Sequence, residues 1–157
     1  MAEAKEPWFV LERSEAMSAI LLTHHAEVNV LSRLRGDDGV DLIVGVDGRH
    51  SPPSRLFVVR VKGTMSANPA DWMPKVEPWF VGGGPFYEPT CVFVVDVRVN
   101  RVLYAWVAEP VAGPDGPTLV ACHTPKFQEL NEASVAEIVS RVKAYYDSKA
   151  KLLLTAG

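Results

Sequence analysis

Three charged residues in two strand-like stretches of this chain are the best candidates for chemistry. Asp41 lies at the start of the apolar stretch 40–46, and Arg60 and Lys62 lie at the end of the stretch 56–62. Side chains two residues apart on a β-strand point to the same face of a sheet, so Arg60 and Lys62 share a face. If the two stretches are neighbouring strands, Asp41 faces the same cleft. A carboxylate there suits a divalent cation, and the two basic groups suit a phosphate.

The elements that position these residues follow from hydrophobic periodicity. Helical spacing, an Asn-Pro helix start and a capping box predict three helices, namely 14–25, a short or irregular one after Asn68, and one from residue 134 to about 149. Period-two or β-branched stretches predict strands at 28–34, 40–46, 56–62, 91–97, 102–107 and 118–122. The predicted fold class is α/β, with a mixed central sheet flanked by helices in the order α-β-β-β-α-β-β-α.

Composition sets limits on the class of protein. The chain has 157 residues, a net charge of −3 and a pI near 5.8, which disfavours attraction to nucleic acid or anionic membrane through overall charge but permits a local basic cleft. No apolar run approaches the ~20 residues of a membrane span, so we expect a cytoplasmic location and no membrane partner. The expected organisation is a flexible tail at 1–11, one domain at 12–150 and a second tail at 151–157.

Other residues that could form a metal or catalytic site have less support from their spacing. His24 and His25 are adjacent near a predicted helix end, so with Glu27 they do not form a metal site. Cys91 and Cys122 lie in apolar stretches and are expected to be buried free thiols, and Cys122 with His123 is not expected to form a nucleophile pair. The four tryptophans are expected to serve packing or interfaces more than base stacking.

Several motifs together carry a resemblance to a known family. Glu15 on the first helix, Asp41 in Gly39-Val40-Asp41, and Val59-Arg60-Val61-Lys62 resemble the PD-(D/E)XK nuclease-like core. More narrowly, the chain resembles the bacterial domain-of-unknown-function family 4365. The stretches 92–96 and 104–106 correspond to later strands of that family, and the likeness covers residues 12–147.

The resemblance implies a restriction-endonuclease-like core and, if the domain is active, a metal-dependent DNA endonuclease. It implies Asp41, Lys62 and Glu15 as catalytic residues, with Mg²⁺ held by Asp41 and Glu15. In such sites the cation polarises the scissile phosphate and lowers the pKa of the attacking water.

Arg60 departs from this pattern, because the family has an acid or a glutamine there. At ~5 Å and an effective dielectric of ~20, a carboxylate attracts a divalent cation by roughly 7 kcal/mol, and an arginine repels it by a similar upper-bound amount. Another acid, such as Glu15, Asp38 or Glu77, would then have to complete the metal site. Alternatively, Arg60 and Lys62 bind phosphate without a metal, or Arg60 forms a salt bridge with Asp41.

These observations leave three functional hypotheses. The first is a PD-(D/E)XK-type domain acting on DNA that is catalytically impaired or non-canonical because of Arg60. The second is a non-catalytic binding or assembly module that keeps the fold and recognises nucleic acid, a protein partner or a second copy of itself. The third is a small-ligand α/β domain unrelated to nucleases, which requires that the strands of Asp41 and Lys62 are not neighbours.

Overall fold

A seven-stranded sheet with three helices forms the framework of the chain. The computed structural model describes residues 7–36, 39–46, 55–82 and 85–155. The helices are α1 (Trp8–Thr23), α2 (Pro69–Phe80) and α3 (Glu132–Thr155). The strands are β1 (Val28–Gly36), β2 (Gly39–Val46), β3 (Arg55–Thr64), β4 (Thr90–Asp96), β5 (Arg101–Gly113), β6 (Gly116–Ala121) and β7 (Gln128–Glu129).

The strands lie in the order β1-β2-β3-β4-β5-β6, and β7 pairs with β5. Every neighbouring pair is antiparallel except β3 and β4, which are parallel and are connected through α2. The prediction of a mixed central sheet flanked by helices is therefore confirmed. Asp38, which the sequence offers as an extra acid, lies outside the described residues.

The two faces of the sheet carry separate apolar cores because side chains alternate along each strand. On one face, α1 and α3 cover β2, β3 and β4, and this core contains the fully buried Phe57 and Phe93. On the other face, Trp72 and Phe80 of α2 pack against Val92 and Val94 of β4. Within β3, Val59 and Val61 belong to the first core. The alternate residues of β3, including Arg60, therefore face the α2 side.

Parts of both predicted tails are helical, while residues 1–6, 156 and 157 lie outside the described part of the chain. Helix α1 begins at Trp8, six residues before the predicted start, and Val10 is fully buried against the sheet. Residues 8–11 thus belong to the folded domain. Helix α3 continues to Thr155, although its last apolar residues, Leu152, Leu153 and Leu154, are exposed. None of the described helices is long and apolar enough to cross a membrane.

The helix starts show which capping predictions were right. The Asn68 side chain accepts a hydrogen bond from the Ala70 amide at 3.1 Å and precedes the proline at the first helical position, as predicted. Helix α2 is continuous over 12 residues, with Pro74 and Pro78 inside it. The predicted capping box at Ser134 is wrong in register. Asn131 is the cap, because its side chain accepts from the Ser134 amide at 2.9 Å and its own amide donates to Ser134 Oγ at 2.7 Å.

Gly63 allows α1 to lie directly on β3, next to Lys62. A Cβ atom built at Gly63 would overlap Ser14 Oγ and lie 2.6 Å from Val10 Cγ1. Ser14 is fully buried, and its hydroxyl donates to the Val10 carbonyl, which removes the cost of an unpaired polar group. The contact leaves no room for a side chain on β3 at this position.

Substituting Gly63→Ala is expected to destabilise the protein by about 1–3 kcal/mol, because α1 must move away from β3. Urea denaturation followed by circular dichroism measures this change. Gly36→Ala is the matched control, since a Cβ there meets no atom within 4 Å, and its effect should stay within about 0.5 kcal/mol. Equal stabilities of the two variants would show that α1 does not lie this close to β3.

Candidate functional site

The register of β2 and β3 brings together the three residues that the sequence singled out. Asp41 is directly opposite Arg60 in the antiparallel ladder, and Val40 is opposite Val61. Residues that face each other across such a ladder project to the same face, and so do residues two apart on one strand. Asp41, Arg60 and Lys62 therefore share the α2 face of the sheet, and all three are partly buried. We call these three residues the charged cluster.

Arg60 is positioned by an aromatic ring and not by Asp41. The centre of its guanidinium lies 5.8 Å from the ring centroid of Trp79, in the last turn of α2. Within the described residues, no ion pair of 4.0 Å or less joins Arg60 to Asp41, although the two face each other. A cation above a tryptophan ring gains about 0.5–2 kcal/mol. The salt bridge considered from the sequence is thus replaced by a guanidinium whose donors are still available for an anion.

The carboxyl group of Asp41 has an environment that disfavours its charged form. Burial raises the pKa of Asp41 above its ordinary value, and the positive charge of Arg60 lowers it in part. Asp41 lines a hollow of about 210 Å³ together with Arg60, Trp79 and Leu34. The hollow is also lined by Gly36 and Gly39 at the last pair of the β1–β2 ladder, and an anion inside it would contact Arg60.

Glu15 does not join the charged cluster. It lies on α1, on the opposite face of the sheet, and its side chain is only 9% exposed. Its carboxylate accepts a hydrogen bond from Arg35 at 2.8 Å and forms an ion pair with Arg33 at 3.4 Å. Both arginines project from β1 toward α1, because they pair with Val40 and Leu42, whose side chains lie in the core on that face. Glu15 therefore anchors α1 to β1, and the predicted pairing of Glu15 with Asp41 around one ion is not formed.

The described residues offer no set of ligands for a cation at Asp41. Across residues 7–36, 39–46, 55–82 and 85–155, no group of three or more histidine, cysteine, aspartate or glutamate side chains is suitably arranged. Glu77, one of the acids considered as an extra ligand, is exposed on α2, and Asp38 lies outside the described residues. The one carboxylate of the charged cluster has two cationic neighbours, so this set of residues does not fit Mg²⁺.

A larger hollow, of about 400 Å³, lies between β5, α3 and the segment after β6. Three of its ionisable groups pair with one another, because Arg141 binds both Glu109 and Glu137. Cys122 also lines it with His123, but burial raises the pKa of this thiol, which favours the unreactive protonated form. Both cysteines are free thiols as predicted, but only Cys91 is fully buried. This hollow has no activated nucleophile.

The adjacent histidines have a structural contact at the end of α1. His24 Nε2 lies 2.7 Å from Glu132 at the start of α3, and both side chains are largely exposed. His25 accepts a hydrogen bond from the Glu27 amide at 3.2 Å. These contacts place the histidine pair at the exposed end of α1, as expected for a helix-end pair.

Comparisons with known proteins add no assignment. No protein-family model matches the chain, and neither the curated proteins nor the solved structures contain a significant match. The resemblance described from the sequence therefore remains an expectation. The function is inferred from the geometry of the charged cluster.

Trp79 is the residue of this site that the sequence did not identify. The tryptophans were expected to serve packing, and Trp72 is indeed a core residue, 3% exposed. Trp79 is half-buried and extends toward β3 instead. The sequence alone does not separate Trp79 from Trp72, because the path of α2 over the sheet decides which ring packs in the core and which lies beside Arg60.

The pKa of Asp41 leads to a test of stability against pH. A carboxyl whose folded pKa is raised binds its proton more tightly in the folded chain, so stability falls as pH rises from its ordinary pKa of 3.8 through the raised value. Asp41→Asn should therefore be at least as stable as the natural chain at neutral pH. This advantage in stability should disappear at pH values below 3.8. Urea denaturation at several pH values measures the change.

Asp96→Asn is the control with the opposite sign. Hydrogen bonds from Arg98 lower the pKa of Asp96, so its charged form stabilises the folded chain and the stabilisation is lost as pH falls through the lowered value. This variant should be less stable than the natural chain at neutral pH, and the difference in stability should be smaller at acidic pH. If Asp41→Asn behaved in the same way, Asp41 would be a salt-bridge partner of Arg60 after all.

Proposed function

We propose that this chain is a nuclease-like domain that binds the phosphate groups of a nucleic acid at Arg60 and Lys62 and does not hydrolyse them. The observation that carries the proposal is the position of the Arg60 guanidinium. It faces Asp41 without pairing to it, lies over Trp79, and borders an open hollow. A planar guanidinium with free donors binds a phosphate through two parallel hydrogen bonds.

The order of elements supports the choice of fold family. One helix precedes three antiparallel strands, and α2 then connects β3 to a parallel β4. This is the order that the resemblance to restriction-endonuclease-like cores implies. The aspartate at the start of β2 and the lysine near the end of β3 also lie where the motif would have them. On this proposal, the charged cluster would correspond to the place where such domains handle a phosphate.

The charges of the cluster support binding over hydrolysis. Hydrolysis in this family requires a cation that two or more oxygen ligands hold, and Asp41 faces Arg60 where the second ligand would stand. Glu15 lies across the sheet, so it does not compensate. Arg60 and Lys62 instead contribute two positive charges on one face, separated along β3 by about 6.6 Å. The acidic net charge of the chain limits nucleic acid to this local surface.

Substituting Arg60→Ala should weaken binding to a labelled oligonucleotide by about tenfold or more, because charged hydrogen bonds are worth roughly 1.5–3 kcal/mol. It should also reduce the slope of log affinity against log salt concentration by about 1. Fluorescence anisotropy at several salt concentrations measures both quantities. Arg13→Ala removes the same charge from an exposed position on α1 and should leave binding nearly unchanged. Equal losses in the two variants would contradict the proposal.

The same proteins distinguish binding from cleavage. Plasmid DNA incubated with the natural chain and Mg²⁺ or Mn²⁺ should remain intact, and calorimetry should detect no cation binding at Asp41. Arg60→Glu restores an acid to the motif and should create measurable Mn²⁺ binding that Asp41→Asn removes. Cleavage by the natural chain that is lost in Asp41→Asn and in Lys62→Ala would establish the metal-dependent nuclease instead.

A further inference from the structure

Arg60 separates two hollows on the surface of the sheet. The first, of about 210 Å³, contains Asp41 and Trp79. The second, of about 380 Å³, lies on the other side of Arg60 and is lined by Phe86, Tyr87 and Thr90. A phosphate bound by the guanidinium would therefore have an open space on each side of it.

The second hollow has an aromatic wall next to the cation. Tyr87 is 76% exposed, and among the described rings it stacks on none. It lies in the short segment between α2 and β4, beside the half-buried Phe86. Tyr87 lines the same hollow as Arg60, and an aromatic ring close to a cation is the combination that binds a nucleobase and its phosphate.

The lining of the second hollow favours a base. It contains two aromatic rings, Phe86 and Tyr87, and the carboxylate of Glu88 can accept hydrogen bonds from the N–H groups of a base edge. The first hollow lacks aromatic residues other than Trp79, which Arg60 already covers. The two sides of Arg60 therefore differ in the part of a nucleotide that each accepts.

We infer that the nucleic acid is single-stranded, with one base stacked on Tyr87 and the adjoining phosphate bound by Arg60. This inference rests on the proposed phosphate binding and adds the form of the ligand. In a duplex each base already stacks on its neighbours, so no base face is available to Tyr87. A single strand turns a base outward at little cost, and the guanidinium fixed by Trp79 keeps the phosphate site in place.

The test compares a single strand of about 12 nucleotides with the duplex of the same sequence, a length within the range that such grooves cover. Anisotropy of labelled DNA at fixed salt should show the natural chain binding the single strand at least about tenfold more tightly. Tyr87→Ala should weaken single-strand binding by roughly 5- to 100-fold and leave the weak duplex binding unchanged. Tyr87→Phe keeps the ring and should retain the preference.

Trp8→Ala is the matched control, because Trp8 is 80% exposed on α1 and lies away from the charged cluster. It should change neither affinity. Equal binding of duplex and single strand, or an unchanged preference in Tyr87→Ala, would overturn the inference while Arg60-dependent binding still supports the proposed function. Absence of any Arg60-dependent binding to either form would overturn both.

Discussion

The antiparallel register between β2 and β3 is the constraint on which the site depends. Because Val40 faces Val61 across this ladder, Asp41 must face Arg60. The valines fill the core beneath α1, and this burial fixes the register, since a slip of one residue would turn the charged side chains into that core. The apolar residues of the two strands thus determine where the charges lie. The cluster owes its geometry to the core and not to attraction between its members.

Much of this arrangement could be predicted from the sequence because it follows from period-two alternation. The strand stretches around Asp41 and Lys62 were identified, and their neighbouring positions follow from the short connection between consecutive strands. The face on which a helix packs could not be predicted in the same way. Glu15 was assigned to the cluster because it lies early in the chain, as the resemblance implies. The arginines of β1 hold it on the other face, and such a long-range contact leaves no local pattern.

The boundaries of the helices were likewise only partly predictable from the sequence. Apolar residues alone do not reveal that α1 begins at Trp8, because no side chain caps its first turn. At the start of α3, both Asn131 with Ser134 and Ser134 with Glu137 have the residue types of a capping pair. The chain uses Asn131, and this choice depends on the position of the preceding strand β7. The position of Trp79 depends on the path of α2 over the sheet. These features are set by tertiary contacts, which local sequence patterns do not reveal.

The prolines of α2 have a consequence for the energetics of the site. Pro74 and Pro78 are exposed, and each ring fixes one backbone torsion angle of the helix. The unfolded segment before Trp79 therefore has fewer conformations to lose, although each proline also removes one backbone hydrogen bond of the helix. Because Arg60 lies over Trp79 in the chain without a ligand, an anion would meet a guanidinium that folding has already ordered.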